Sequence, residues 1–413
     1  MNIWYFHPYG SAPGRGKYLR PYYLGKEWRE LGHEVTCFVS RNHHLLDLPE
    51  PLPDRENVNG LTFISLPARP YFGNHAGRAL NMLDFCRSMR RLPADLQKPD
   101  AIIVSSPHPF SIFPAARLAR RYGAKLVFEV RDIWPLSITE MTNTPRWHPF
   151  PVLAWLAERF ACHNSDVVAS LLGNAEPHMR RCGFRGTFVH VPNGTGDDDV
   201  TVMQQPATPS GRAAAQKLAS WREEGRLIVI HPGSQGHPSA LDVLLRAITI
   251  SRDTDSKLRL GVLLLGGGDT SDSLKRLATE LDLDDEVFFA PAVPRPEALW
   301  LTSRSDIGYA GKRNFRSVFK HGISFNKIID FMQASLPVIL PVTTAGDPVS
   351  ASGCGIVTGD DPKDVAAALR KIAALSPQDR RQMGERGHEY ANRALHFRQI
   401  AEDYVQAIAA AGK

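Results

Sequence analysis

The residues best placed to do chemistry lie in Phe319-Lys-His-Gly-Ile-Ser-Phe-Asn-Lys-Ile-Ile-Asp330-Phe-Met332. A glycine-containing loop there runs into an amphipathic helix that begins at about Phe325. The free backbone N–H groups and positive dipole end of such a helix suit a diphosphate. Lys327 adds a point charge, and Asp330 follows about one turn later, where a carboxylate can accept two hydroxyl hydrogen bonds from a ribose. Gly322, Ile323, Ser324 and Asn326 line the same loop, with Arg316 and Lys312 as further cations just upstream. Two more glycine turns follow apolar runs. Gly233-Ser234 comes after Leu227-Ile-Val-Ile230, where backbone N–H groups and the Ser234 hydroxyl can hold phosphate oxygens. Gly266-Gly267-Gly268 closes Val262-Leu-Leu-Leu265, where missing side chains allow close approach of a ligand.

The first half of the chain carries a different set. In the loop Gly10-Ser-Ala-Pro-Gly-Arg-Gly-Lys17, Gly14 and Gly16 let the backbone approach a sugar or its phosphate, and Arg15, Lys17 and Arg20 add positive charge. Gly14-x-Gly16 is not a dinucleotide fingerprint, because the third glycine and the strand-distal acid are not placed for one. Two further loops follow strand-like runs: Ser105-Ser-Pro-His-Pro109 and Glu129-Val-Arg-Asp132. Arg131 can stabilise phosphate charge, Asp132 or Glu129 can orient or deprotonate a hydroxyl, and His108 is an alternative acid/base.

These loops need strands and helices to hold them, and the apolar pattern supplies both. Strand-sized runs at 2–6, 34–39, 101–104, 125–130, 167–172 and 188–191 alternate with helix-period segments such as Leu19–Leu31, which ends at Gly32. Residues 192–212 are rich in Pro, Gly, Asp and Thr and read as a linker. The rhythm then restarts with strands at 227–230, 260–265, 286–289 and 337–340 between helices, and the chain closes with helices near 362–375, 377–391 and 396–411. Repeated strand–loop–helix units imply two doubly wound parallel sheets, with ligands beyond the carboxyl ends of the strands. The expected organisation is a domain over 1–191, a linker over 192–212, a second domain over 213–390, and a terminal helix over 391–413 that packs back on the first domain.

Composition narrows the classes further. At 413 residues, with 43% hydrophobic and 22% charged residues, disorder, collagen and coiled coil are excluded. No run of 18 apolar residues predicts a membrane span. Five scattered cysteines without a Cys-x-x-Cys pair argue against a disulfide scaffold or a zinc site and for a reducing cytoplasm. The net charge of +6 is uneven: residues 1–196 hold 23 Lys+Arg against 16 Asp+Glu, whereas residues 197–413 hold 26 against 27. A basic half attracts phosphate on nucleic acid, lipid headgroups or a diphosphate, and composition does not choose among them. The absence of aromatic–basic interleaving on a strand surface speaks against nucleic acid. The helix-period segment Arg78–Leu92, with Arg87, Arg90 and Arg91 at its end and Tyr71 and Phe72 upstream, suits either a core-packed helix or one resting on an anionic membrane.

Taken together, Arg20-Pro-Tyr-Tyr-Leu24, Lys98-Pro-Asp100, Ser105-Ser-Pro-His-Pro109, Phe128-Glu-Val-Arg-Asp-Ile-Trp-Pro135, Pro192-Asn-Gly194, Asn326-Lys327 and Gly346-Asp-Pro348 resemble the family-four retaining glycosyltransferases. The bacterial subgroup that builds O-antigen and other surface polysaccharides, including L-fucosamine-type transferases, is the most similar. The resemblance implies the GT-B fold, two Rossmann-like domains facing across a cleft. It also implies a nucleoside diphosphate sugar donor, UDP-linked, and a lipid-linked or glycan acceptor at the inner face of the cytoplasmic membrane. No separate cofactor and no metal are implied. Gly266 and Gly267 would border the nucleotide, and the stretch ending at Val293 would offer backbone groups to the base. Two departures stand out. The family's Glu-(seven residues)-Glu pattern places its second acid at Asp330 but its first on Gly322, which suggests a deoxy or N-acetylated sugar. The phosphate-clamping Arg and Lys fall on Ser234 and Ser239, leaving Lys327, Arg316 or Lys312 to neutralise the diphosphate. A GT-B nucleotide-sugar epimerase and a non-enzymatic polyanion-binding protein are the alternative readings.

Overall fold

The computed structural model describes all residues except 48–49, 72, 74–75, 143, 198–202 and 413. Phe72, named above beside the basic helix, lies outside the described residues. The chain forms two compact units. Unit 1 comprises Met1–Asn193, His321–Ser324 and Phe397–Lys413, and unit 2 comprises Gly194–Lys320 and Phe325–His396.

Among the described residues, unit 1 is built on eight strands: β1 (Asn2–Phe6), β2 (Glu34–Ser40), β3 (Arg55–Val58), β4 (Leu61–Leu66), β5 (Ala101–Ser105), β6 (Lys125–Val130), β7 (Val167–Ser170) and β8 (Thr187–His190). They run in the order β3-β4-β2-β1-β5-β6-β7-β8. Every pair is parallel except β3 with β4. Helices α1 (Arg20–Glu30), α2 (Ala76–Ser88), α3 (Ile112–Tyr122), α4 (Trp134–Met141), α5 (Pro149–Asn164) and α6 (Glu176–Arg181) connect them. A parallel sheet covered on both faces needs strands that are apolar throughout rather than alternating, and β1 and β5 satisfy this with Trp4, Tyr5, Phe6 and Ile102, Ile103, Val104 fully enclosed. Chain order reverses at β1, which lies between β2 and β5; this is the switch point where doubly wound sheets bind ligands.

Unit 2 holds β9 (Leu227–Pro232), β10 (Leu260–Leu265), β11 (Val287–Ala290), β12 (Ile307–Tyr309), β13 (Val338–Leu340) and β14 (Gly355–Val357) in the all-parallel order β11-β10-β9-β12-β13-β14. Its helices are α7 (Pro209–Glu223), α8 (Leu241–Thr254), α9 (Ser271–Glu280), α10 (Arg295–Ser303), α11 (Arg316–Phe319), α12 (Asn326–Gln333), α13 (Pro348–Ser352), α14 (Pro362–Ala373) and α15 (Pro377–Ala394). The switch point here is β9, between β10 and β12.

The stretch 192–212 is not a separate linker. Pro192 and Asn193 belong to unit 1, and α7 already begins at Pro209, with the Thr208 side chain accepting the Gly211 N–H as its cap. The last helix, α16 (Phe397–Ala410), lies in unit 1. Tyr23 of α1 stacks on its Phe397 at 5.0 Å, and Trp28 Nε1 donates to its Ala401 carbonyl. The basic segment 78–92 includes the core-packed helix α2, which buries Met82 and Phe85 and leaves Leu80 and Leu83 exposed.

Candidate functional site

In unit 2 the end of β9 and the start of α12 form one constellation. His231, fully buried near the carboxyl end of β9, hydrogen-bonds through Nδ1 to the Tyr309 carbonyl at 3.0 Å. That contact makes Nδ1 the donor, so Nε2 accepts from Lys327 Nζ at 3.1 Å. Burial, then the neighbouring Lys327 charge, holds His231 well below the usual imidazole range. Burial, then Lys312, brings Lys327 down to about 7, with Asp330 opposing. A lysine that titrates near neutrality responds strongly to a phosphate. Beside it, Gly233 has φ +127°, and a Cβ there would lie 3.6 Å from Lys327 Nζ. Helix α12 opens at Asn326 without any side-chain cap, so its first N–H groups remain available to a ligand.

The glycine turns interlock around this end of the sheet. Gly266 has φ +141°, and a Cβ on it would sit 2.1 Å from the Gly233 carbonyl oxygen. Gln235 N–H donates to the Gly267 carbonyl at 2.9 Å, and its side chain donates to that of Gly266. The glycines thus let two loops pack backbone to backbone, in addition to leaving space for a ligand. Ser239 is occupied within the turn, its hydroxyl donating to the Ser234 carbonyl at 2.6 Å, while Ser234 itself is exposed. Val293 is half-buried in the loop after β11, and Arg316 is exposed at the start of α11.

Asp330 is not waiting open-handed for a ribose. Arg295 grips it bidentately, Nη2 to Oδ1 at 3.0 Å and Nη1 to Oδ2 at 3.2 Å, with the arginine half exposed. An exposed pair of this kind is worth about 1 kcal/mol or less, so a ribose can share or displace it.

Gly322, Ile323 and Ser324, expected beside the donor phosphates, belong to unit 1. Gly322 has φ +108°, and a Cβ there would meet the Gly173 amide nitrogen at 2.7 Å. Glycine at this position is therefore dictated by the backbone, which corrects the inference that its missing carboxylate reports on the sugar. Ser324 is clamped by Asn193, whose N–H donates to Ser324 Oγ at 2.7 Å and whose Nδ2 donates to the Ser324 carbonyl at 2.8 Å.

The strand ends at the unit 1 switch point hold the second constellation. His7 directly follows β1, and its ring stacks on Tyr18 at 4.6 Å. Arg131 lies 4.0 Å over the Tyr18 ring, 3.4 Å from His7 Nε2, and donates its own N–H to Ser106 Oγ at 3.2 Å. Burial, then Arg131 and Arg20, keeps His7 neutral, far below its usual range. His7 Nδ1, Tyr18 Oη, Ser105 Oγ and Arg131 Nε are buried without a protein hydrogen-bond partner. Each such atom costs about 1–3 kcal/mol, and a polar ligand at the strand end would repay it. Asp132 next to Arg131 is exposed.

Three expectations for this half change. Glu129 and Arg20, read as catalytic and acceptor-binding, are enclosed and spent on each other: Arg20 Nη2 meets Glu129 Oε2 at 3.2 Å, Tyr5 donates to Glu129 Oε1 at 2.7 Å, and the guanidinium also donates to the Val191 and Pro192 carbonyls. A charge pair this deep supports the sheet. His108 is also enclosed, ringed by Tyr9, Phe85 and Phe110, and burial pushes it down to about 3, so at neutral pH it has no proton to give and little basicity. The cations of the Gly14–Lys17 loop are engaged: Arg15 pairs with Glu56 at 3.1 Å and Lys17 with Asp47 at 3.4 Å. Gly14 takes φ +73° at the exposed tip, whereas Gly16 passes so close to the Leu45 carbonyl that a Cβ would lie 2.5 Å away.

Sequence reasoning missed His7, Tyr18, His231 and Arg295. A signal for two of them was present: the first strand of each unit runs into a His-Pro pair, His7-Pro8 just after β1 and His231-Pro232 at the end of β9.

Residues 19–194 match the family described as glycosyl transferase 4-like domain. A D-inositol 3-phosphate glycosyltransferase of Streptomyces griseus is 30% identical over 176 residues, which are 40% of this chain and 35% of that relative. Over nearly the whole length the fold is shared with sucrose-phosphate synthase from Thermosynechococcus elongatus, at a TM-score of 0.71 and 18% identity, covering 98% of this chain and 97% of that one. It is also shared with Anabaena HepE in complex with UDP and glucose, at a TM-score of 0.61 and 13% identity with 99% of both chains covered. WaaG, a glycosyltransferase involved in lipopolysaccharide biosynthesis, aligns at a TM-score of 0.63 and 16% identity over 99% of this chain and 100% of that one. Residues 19–194 thus carry a glycosyl transferase 4-like domain, and the two parallel-sheet units have the GT-B fold of these solved structures.

Proposed function

We propose that the protein is a retaining, metal-independent glycosyltransferase that moves a sugar from a UDP-sugar to a lipid-linked or glycan acceptor in surface polysaccharide synthesis. The observation that carries this reading is Lys327, held by His231 over the Gly233 turn at the uncapped start of α12. This is a cation and a set of backbone donors at a sheet switch point, with no paired carboxylates in the turn to call for a metal. HepE, a protein of the same fold, binds UDP.

In the reaction proposed, the bond from the anomeric carbon to the diphosphate breaks, and the acceptor oxygen bonds to the same face of that carbon. The acceptor proton passes to the departing phosphate oxygen, so no dedicated base is required. Lys327 and the α12 N–H groups stabilise the negative charge that develops on the leaving group. In unit 1, Arg131 and the unpaired atoms of His7, Tyr18 and Ser105 offer a polar strand end suited to a sugar hydroxyl or a phosphate.

A peripheral membrane contact is supported by α5, which turns its small residues inward and its large ones outward. Leu153, Trp155 and Leu156 are exposed, Trp147 is 80% exposed just before the helix, and Arg117, Arg120, Arg121 and Arg159 lie exposed on α3 and α5. Leucine and tryptophan beside arginine suit an anionic bilayer surface. None of the described helices is long and apolar enough to cross a membrane.

The test is thermal unfolding in the presence of EDTA. UDP at a hundred times its Kd should stabilise the fold by about 2.7 kcal/mol and raise the midpoint accordingly, whereas free uridine should do much less. No shift with any nucleoside diphosphate would remove the donor site.

A further inference from the structure

We infer that Glu158, His178 and Cys182 of unit 1 form a structural site for one zinc-class divalent cation. The observation is a three-sided geometry. His178 Nε2 lies 3.1 Å from Glu158 Oε2, Cys182 Sγ lies 3.7 Å from the same oxygen, and Cys182 Sγ lies 3.5 Å from His178 Nε2. A tetrahedral zinc ion, with Zn–S about 2.3 Å and Zn–N or Zn–O about 2.0–2.1 Å, separates sulfur from nitrogen or oxygen by about 3.5 Å and nitrogen from oxygen by about 3.3 Å. All three observed edges fall within a few tenths of an ångström of those values.

The elements explain the convergence. Glu158 lies on the inward face of α5, and His178 on α6 is one turn before Cys182, which caps that helix. Glu158 and Cys182 are buried, at 3% and 8% exposure, among Ala157, Ala161, Met179 and Phe184. A carboxylate at that depth requires a strong positive partner. A mixed thiolate, imidazole and carboxylate set favours zinc over calcium or magnesium. On binding, the cation displaces the protons of the thiol and of His178 Nε2. The ion would pin α5, the helix with the exposed tryptophan and leucines, to α6 and the core. It takes no part in sugar transfer.

Cobalt supplies a visible probe. The full chain, stripped with chelator under reducing conditions, is titrated with Co2+ and then Zn2+. One equivalent of cobalt should give tetrahedral visible bands and a thiolate-to-cobalt charge-transfer band, both bleached by one equivalent of zinc. Cys182→Ser should lose the charge-transfer band, His178→Ala should bind cobalt at least tenfold more weakly, and Cys86→Ser, at a half-buried thiol that packs against Ser111 instead, should bind as the parent does. Circular dichroism checks that each variant is folded, and the parent titration stands without any variant. A parent protein without the charge-transfer band, a band that survives Cys182→Ser, or one abolished by Cys86→Ser would overturn the site.

Discussion

At the scale of single residues, the proposed chemistry turns on Lys327. The clamp that relatives would build from an arginine and a lysine in the Gly233 turn is replaced by Ser234 and Ser239, one exposed and one tied into the turn. Positive charge must therefore come from α12, and burial there leaves Lys327 titrating at about 7 in the free protein. At pH 8 the amine is mostly neutral, and a bound diphosphate restores its charge. UDP binding should accordingly take up close to one proton at pH 8 and almost none at pH 5.5, where the lysine already carries one. Calorimetry in two buffers of different ionisation enthalpy measures that number. Lys327→Met should abolish the uptake and weaken UDP binding by at least tenfold, about 1.4 kcal/mol, with the fold intact. The sign for stability runs the other way. The native lysine holds fewer protons than the unfolded one between about pH 7 and its ordinary 10.5, so its burial costs stability at low pH and the cost fades as pH rises through that window. Proton uptake unchanged by Lys327→Met would assign the charge to another group.

At the scale of elements, the turns decide more than their composition suggests. Gly322 stands where the family pattern has a glutamate, yet its φ of +108° and the 2.7 Å approach to the Gly173 nitrogen leave no room for any Cβ. Gly322→Glu should thus destabilise the protein by about 2–4 kcal/mol, through backbone strain and displacement of the neighbouring turn, with no gain in donor affinity. A lowered denaturation midpoint at an unchanged slope checks this, and an unaltered midpoint would show that the two turns can part. The strands at the sheet centres were legible in sequence because a buried parallel strand is an unbroken apolar run, as in β1, β5, β6 and β10. Strands β3, β4, β12 and β14 were not: β3 is polar and pairs antiparallel with β4 at the edge, and β12 and β14 have only three residues each. The site was legible where a glycine or a charge marks a strand end. It was misread where partners come from far along the chain, as with Arg20 and Glu129, 109 residues apart, or Asp330 and Arg295. The proposed metal site escaped for the same reason, since Glu158 on one helix and His178 and Cys182 at another do not resemble a Cys-x-x-Cys motif.

At the scale of the whole molecule, the surplus of positive charge in the first half acquires a location. Much of it is structural: Arg20 is enclosed with Glu129, and Arg15, Lys17 and Arg69 are paired with carboxylates. What stays exposed on α3 and α5 accompanies Phe113, Leu153, Trp155 and Leu156, a group of large apolar side chains that unit 1 leaves in water. Scattered exposed apolar residues need no explanation, but a patch of aromatic and leucine side chains rimmed by arginine marks an interaction surface. The helix singled out by its arginines, α2, contributes only Leu80 and Leu83 to the exposed apolar set, so α5 is the element proposed to meet a membrane. Vesicles containing anionic lipid should therefore sediment the protein at low salt. Leu153→Glu with Trp155→Glu should reduce that binding at least tenfold while UDP affinity is unchanged, because neither residue lies in unit 2. Raising ionic strength should weaken the parent's binding as the arginines are screened but leave a residual apolar component, absent from the double variant. Equal sedimentation of both proteins would place the contact elsewhere, and binding by neutral and anionic vesicles alike would remove the arginines from it.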